Sequence, residues 1–567
     1  MSAALFAIAI ASPLEELQAE LRAVDPNAVV LSYLDDIYIV IKPDEVDTAL
    51  KAARTLFLPV GVVLNDQKTQ AWTPRGFTPL PEGIQRVASF TCLGSALLFV
   101  PELCARVGIG SPGCGLAASL DALRAFETRL AALQAAGLSL AAALTVHRAM
   151  SGGALTHHAR ANILDSTFAA TWDDTVEHFW AVAMDRPLDA DRRAQLHLPG
   201  KAGGCGVASA QLMRVPAYLG SWELCLAEVA SMLGANSAAQ FMALVPATRT
   251  TIETAAQAIR AAGVTDYSFD WEALFAEPRK RRQHELTHDI HEATHARLLR
   301  DLDELDRIDF RSAGGIGAAA FLEPPTEDLH MPDARLRTAL RARLRLSRPG
   351  FDVSLALDEP ATHCHHRYAN SGAYCGQPLD DGHPPVLCHV GGGMERGHNL
   401  ARDWLAQFIQ DQTGELVHVE QLVPAWHRKL RDGTTKMAQL DVSCTVHAQR
   451  THVDLAFTTA LSEKARHDGR ERAARANDDG RAASQSVRDK RARYPPGDNP
   501  GEALVPFVLE ALGRPSPEAA AFLRAVAPVD RAQRAVVLAR AWQALSIITQ
   551  TRLAELYISA ERPRPPR

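Results

Sequence analysis

The 567 residues are 47% hydrophobic and 22% charged, with a formal net charge of −6. That length allows several cores, the apolar content excludes a globally disordered chain, and the negative balance excludes a polyanion binder that works by overall charge, leaving only local basic patches. Nine scattered cysteines, an odd number, suit a reducing compartment better than a disulfide framework.

Residues 5–10 mimic a signal-peptide core but lack a basic flank and are soon followed by Glu15 and Glu16, so a buried helix is expected there. No other run is long and apolar enough to span a bilayer. The expectation is a chain that is not secreted, nuclear or cytoplasmic, without membrane contact. Residues 31–40 alternate polar and apolar on either side of Asp35 and Asp36, which reads as a β-hairpin with the acidic pair at its turn. Such a pair can hold divalent metal beside phosphates; an ordinary turn is the plainer reading. A helix signal follows, then Gly61-Val62-Val63-Leu64-Asn65-Asp66-Gln67-Lys68-Thr69 and a strand-like run from Ser89 to Ser95.

From about 117 to 230 the pattern turns helical, with Leu123, Phe126, Leu130, Leu133 and Leu138 at bundle spacing. Leu198-Pro199-Gly200-Lys201-Ala202-Gly203-Gly204-Cys205-Gly206-Val207 interrupts it. A phosphate cradle there lacks the Lys-Ser/Thr that would complete it. Residues 231–350 read as a helical connector with basic clusters at 278–282 and 335–348. The first reads as solvated helix-start chemistry or as a nucleic-acid contact.

Cys364, Cys375, His383, Cys388 and His398 fall within 35 residues of Gly-, Pro- and Asp-rich sequence. Such a loop needs a cross-link to hold shape, and tetrahedral zinc bound by thiolate and imidazole supplies one; four protein ligands leave no open position, so the role is structural. His363, His365, His366 and His389 are expected at the surface or behind the ligands. Beyond them come a helix at 400–409, a strand at 416–420, and two strand-like repeats at 438–443 and 451–457, each with one Asp. On pattern alone these are hairpin strands with solvent-facing carboxylates. Residues 464–494 carry ten Lys/Arg against five Asp/Glu on a helical pattern. A strand at 506–514, a helix at 532–558 and a frayed Pro/Arg tail close the chain.

Several of these motifs resemble one family in its own order. Tyr33-Leu34-Asp35-Asp36, the segment ending at Lys68 and the following strand resemble the palm of LINE-type retroelement reverse transcriptases. The Gly-rich run resembles the turn after their thumb, and Ser312-Ala313-Gly314-Gly315 with Met331-Pro332-Asp333-Ala334 resembles the run-in to their zinc segment. Cys375-Gly376-Gln377-Pro378, Cys388-His389-Val390-Gly391 and Arg396-Gly397-His398 resemble their Cys/His motif. Glu420 with Val423-Pro424 and Trp426, then Leu440-Asp441-Val442 and Val453-Asp454-Leu455, resemble their restriction-enzyme-like endonuclease domain. The resemblance implies an α+β multidomain chain: a truncated reverse-transcriptase palm at 1–115, a helical thumb at 116–230, a helical connector at 231–355, a zinc-stabilised loop at 356–400 and an α/β restriction-endonuclease-like domain at 401–560.

It also implies roles. Asp35 and Asp36 would bind Mg²⁺ in the palm, while the fingers and a third acid would lie upstream, so the chain alone is expected not to polymerise. Cys364, Cys375, Cys388 and His398 would hold Zn²⁺, with His383 as substitute. Glu420, Asp441 and Asp454 would be the nuclease acids, with Mg²⁺ on Asp441 and Asp454. The family's Lys is missing directly after Asp454, and Lys490 on the following helix matches its alternative position. The expected partners are DNA and RNA. The expected function is a retroelement-derived nucleic-acid protein with a candidate Mg²⁺-dependent DNA-nicking domain. The alternatives are a catalytically dead remnant that binds nucleic acid or a protein partner, and a zinc-stabilised nuclease in which the palm remnant is passive.

Overall fold

The computed structural model describes residues 3–33, 36–71, 84–86, 91–92, 95–96, 114–161, 163–346, 363–368, 370–379, 385–429 and 433–561. The architecture is mixed α and β. Near the N-terminus, helix α1 (Ala3–Val24) precedes a hairpin of β1 (Val29–Tyr33) and β2 (Asp36–Val40), then helix α2 (Val46–Phe57). Tyr33 pairs with Asp36, so the hairpin that the alternation predicts is present, with Asp36 as the first residue of β2. Ile10, Leu17 and Leu21 recur on one face of α1 and pack on Ala49, Ala53 and Phe57 of α2, a small separate core. Gln18 ties the hairpin to α1, donating to the Ala28 carbonyl and accepting from the Val30 amide. Of the strand expected at 89–95, the described residues show only the short pair Thr91–Cys92 and Ser95–Ala96.

A helical region follows: α3 (Cys114–Ala135), α4 (Leu140–Ala161), α5 (Ser166–Met184), α6 (Ala190–His197) and α7 (Ala210–Met232). Leu116, Leu120, Leu123 and Leu130 of α3 are buried, whereas Leu133, part of the expected stripe, faces solvent. Further helices are α8 (Pro246–Ala261), α9 (Arg282–Asp301) and α10 (Asp333–Arg343). Leu336, Ala339 and Leu340 of α10 join the same core as α3 to α5, so chain segments nearly two hundred residues apart close one interior.

The Gly-rich run at 198–207 is a junction of this interior. Arg343, itself 1% exposed, donates from Nε to the Gly204 carbonyl, from Nη2 to that of Gly200 and from Nη1 to that of Ala318. Carbonyls, not amides, converge on this turn, which is the opposite polarity to an anion cradle. A side chain at Gly204 would put Cβ 2.0 Å from the Leu198 carbonyl oxygen, so only glycine fits. Arg341 and Arg345 are buried as well. In the described part of the basic stretch, 335–346, Arg337 and Arg341 also donate to main-chain carbonyls, those of Ala183 and Met184, so three of its arginines hold the protein's own backbone.

The C-terminal part is built on a four-stranded sheet. Helix α11 (Gly393–Thr413) leads into β3 (His418–Leu422), β4 (Gln439–Val446) and β5 (Gln449–Thr458), and helix α12 (Arg481–Arg493) crosses over to β6 (Ala503–Glu510). The order is β6-β5-β4-β3, antiparallel except for the parallel pair β5·β6. Side chains alternate across the sheet. Val442 and Cys444 of β4 and Val453 and Leu455 of β5 face a core shared with α11, α13 (Pro517–Val526) and α14 (Arg531–Glu561). The opposite face carries Ser443, His452 and Asp454, with α12 above it. Among the described residues no helix is long and apolar enough to cross a membrane.

Candidate metal centre and carboxylate site

Two clusters of chemistry-bearing side chains flank helix α11. The first is an irregular hairpin before it. Bridges join His363 to Pro378 and Arg367 to Tyr374, and the Cys375 amide donates to the His366 carbonyl at 2.7 Å. Cys364 and His366, two apart on an extended arm, share one face of it. Cys375 lies on the returning arm, and the helical turn Pro385–Leu387 delivers Cys388. Sγ of Cys388 is 3.8 Å from Sγ of both Cys364 and Cys375. The ligand atoms of Cys364, His366 and Cys388 all lie within 4.8 Å of one another, so this buried group could hold a metal ion.

The chemistry of the donors fits a soft or borderline cation. His366 Nε2 is 3.1 Å from the Leu556 carbonyl, which fixes the proton there, while its Nδ1 is buried with no hydrogen-bond partner. A ring nitrogen left bare while the other is tied to a backbone carbonyl is how a ligating imidazole is held. The hydrogen bond with the Cys364 thiol, and after it His366, push the Cys388 sulfur down against the effect of burial. The same hydrogen bond to Cys388, and then burial, push Cys364 up. The hairpin's own core is small, Cys364, Leu379 and Cys388 on Ala560 of α14, so its shape depends on cross-linking.

The second cluster lies on the sheet. Leu440 pairs with Gln421 and Val442 with Val419, which puts Glu420 opposite Asp441. Val442 pairs with Val453, and Asp441 and Asp454 flank this last pair on the two adjacent strands, close enough for the Asp441 charge to push the Asp454 carboxyl up. Glu420, Asp441 and Asp454 thus lie on three neighbouring strands, β3, β4 and β5. Lys490 Nζ, from α12, lies 2.6 Å from Asp454 Oδ1 and donates to the Leu455 carbonyl at 3.3 Å. Burial pushes the Asp454 carboxyl up and Lys490 opposes that shift; its Oδ2 is buried without a hydrogen-bond partner. Asp441 Oδ2 accepts from the Leu455 amide at 2.6 Å, and Asp441 Oδ1 lies 2.9 Å from His398 Nε2. Glu420 adopts a positive φ of 57° and turns to an ion pair with Arg402. Two acids, one with an unsatisfied buried oxygen, are suitable donors for a hard divalent cation.

The predicted residues are therefore placed as follows. Cys364, Cys375 and Cys388 come together. His398 sits on Asp441, and among the described residues the imidazole beside the thiols is His366, a residue expected at the surface or behind the ligands. The Cys-x-His spacing on an extended arm was the signal for it. Asp441, Asp454 and Lys490 come together; Glu420 is in register with them but its carboxylate faces Arg402. Asp36 is exposed and accepts from the Tyr38 hydroxyl at 3.2 Å, and Asp35 and His383 lie outside the described residues. A buried relay that the sequence did not suggest runs beside the acids: Ser443 Oγ is 2.7 Å from His452 Nδ1, and His452 Nε2 is 2.7 Å from Glu502 Oε2. No protein-family model matches this chain, and no curated protein is similar to it.

Proposed function

We propose that this is a retroelement-derived, reverse-transcriptase-like protein acting on nucleic acid, whose C-terminal sheet is a Mg²⁺-dependent DNA-nicking domain and whose Cys/His hairpin is a structural Zn²⁺ module. The observation that carries the nuclease reading is the nearness of Asp441 and Asp454 on adjacent strands, tied through the Leu455 amide, with Lys490 Nζ 2.6 Å from Asp454. The order of elements supports it: a helix, three antiparallel strands, a crossover helix and a fourth strand parallel to the third, the arrangement implied by the restriction-enzyme-like resemblance. Zinc is supported by the thiol-rich donor set and the bare Nδ1 of His366.

When bound, Mg²⁺ would lower the pKa of a water and offset charge on the scissile phosphate. Asp441 and Asp454 would hold it. Asp441 is fixed by the Leu455 amide, so its plane is set before any ligand arrives. Lys490 opposes the loss of charge that burial imposes on Asp454 and places a positive charge where an oxyanion would develop. Exposed Arg493, close enough to Asp454 to affect its ionisation, and Arg428 beside Tyr494, add positive charge at the rim for phosphates. We assign no polymerase step to the N-terminal hairpin.

One observation favours the alternative, an inactive domain that only binds nucleic acid or a partner: both oxygens of Asp441 are already engaged and Glu420 is paired with Arg402. Incubating supercoiled plasmid with the protein and Mg²⁺ separates the two. Nicking that is lost in both Asp441→Ala and Asp454→Ala, with salt-sensitive DNA binding kept, supports the nuclease. Nicking that persists in the double variant rules this site out, and none in the unmodified chain favours the binding role.

A further inference from the structure

Helix α11 leaves the thiol hairpin and packs on the core face of the sheet. Two residues one helical turn apart, His398 and Arg402, project from the same face of it. Each meets a different strand: His398 Nε2 is 2.9 Å from Asp441 Oδ1 on β4, and Arg402 pairs with Glu420 on β3. The height of the helix is set by Gly397, the residue before His398. A Cβ there would stand 2.5 Å from Cγ and Cδ of Arg552 on α14, so the glycine lets α11 settle on that side chain. Arg552 is itself fixed, 5% exposed and stacked over the Phe457 ring at 4.6 Å. The path from Arg552 through Gly397 to His398 is rigid.

Asp441 is consequently held from both sides, by His398 on Oδ1 and by the Leu455 amide on Oδ2. The second contact comes from the residue next to Asp454, so the same hydrogen bond that orients Asp441 ties it to the other acid. The thiol group, meanwhile, already has an imidazole in His366. A histidine following the last cysteine thus has a partner other than the thiols.

We propose that His398 is a positioning residue for Asp441, holding the carboxylate in the orientation that a divalent cation needs, and is not a ligand of the thiol–imidazole group. The inference rests on the nuclease reading for the use of Asp441, but concerns a different residue. Outer partners that orient a metal ligand are typically worth about 10- to 100-fold in metal affinity.

The test uses the full chain and Mn²⁺ as the probe, with binding counted only where Asp441→Ala with Asp454→Ala abolishes it. His398→Ala should weaken that binding by about tenfold or more and raise the Mg²⁺ concentration for half-maximal nicking more than it lowers turnover. Its zinc content should equal that of the unmodified chain. His398→Gln, whose amide N–H can donate to the same oxygen, should restore most of the affinity, a rescue that a purely architectural role would not give. Loss of zinc in both His398 variants would overturn the proposal by making His398 a ligand. Unchanged Mn²⁺ affinity in His398→Ala would overturn it while leaving the nuclease reading intact. Absence of carboxylate-dependent Mn²⁺ binding in the unmodified chain would remove the nuclease reading, and the proposal with it.

Discussion

Lys490 and Asp454 form an ion pair of 2.6 Å with each side chain only 11% exposed. Two charges taken this far out of water are stable together and costly apart. Lys490→Met should therefore destabilise the fold by about 3–5 kcal/mol, because it strands a carboxylate whose burial already opposes ionisation. Asp454→Asn combined with Lys490→Met should recover most of that loss. Urea denaturation of the single and double variants measures both, and equal losses in the two would show that the pair is not the cause.

Arg343 joins the Gly200 and Gly204 carbonyls of one turn to the Ala318 carbonyl in a fixed fork. Lysine has the charge without the fork, so Arg343→Lys leaves carbonyls without donors inside the core. A loss of about 3 kcal/mol or more is expected, read as a lowered denaturation midpoint. A change below 0.5 kcal/mol would mean that this turn does not depend on the guanidinium.

Metal content distinguishes His366 from its neighbours. Cys388→Ser and His366→Ala should each lose bound zinc, while His389→Ala should keep it, as elemental analysis would report. Stripping the metal with a strong chelator should open the hairpin at 363–390 to proteolysis before the sheet is cut, because that hairpin lacks a core of its own. Equal zinc in His366→Ala and the unmodified chain would count against the assignment.

His291 on α9 is pushed down to about 4 from 6.5, by burial first and by the nearby His197 next. It is neutral in the folded chain, while the unfolded chain protonates it near 6.5. Stability should therefore fall as the pH drops from 6.5 through 4 and be insensitive to this group above that window. His197 shifts in the opposite direction, held up by Glu177 and Asp173, so the comparison must be made against His291→Gln. The difference between that variant and the unmodified chain should widen below pH 6.5; a constant difference would refute the assignment.

Strands β4 and β5 are legible from their alternating apolar residues, with Asp441 and Asp454 set among them, whereas β3 is mostly exposed and β6 is buried at successive residues. Lys490 is reached only through the family resemblance, which lets the basic residue come from the following helix. What the sequence concealed are relationships that close over long distances. Nothing local marks Arg343 as the partner of carbonyls at Gly200 and Gly204, so a buried fork looked like part of a basic stretch. Leu133 fitted a helical stripe yet faces out, since periodicity does not say how wide the covered face is. The order of cysteines and histidines does not single out His366; the two-residue repeat of an extended arm is what places it beside Cys364. The carbonyl that fixes its tautomer belongs to Leu556, 190 positions later.

That distance bears on how the molecule is made. The hairpin at 363–379 emerges from synthesis well before its fastening points, since the His365 amide donates to the Ala560 carbonyl and His366 to that of Leu556. Until the last turns of α14 have been added and docked, His366 has no fixed tautomer and its thiol neighbours have no organised imidazole. Capture of the proposed zinc is therefore expected only after the C-terminal helix has docked. A premature stop that removes only the last turns of α14 would spare every cysteine and both Asp441 and Asp454, yet leave the thiol–imidazole group unfastened.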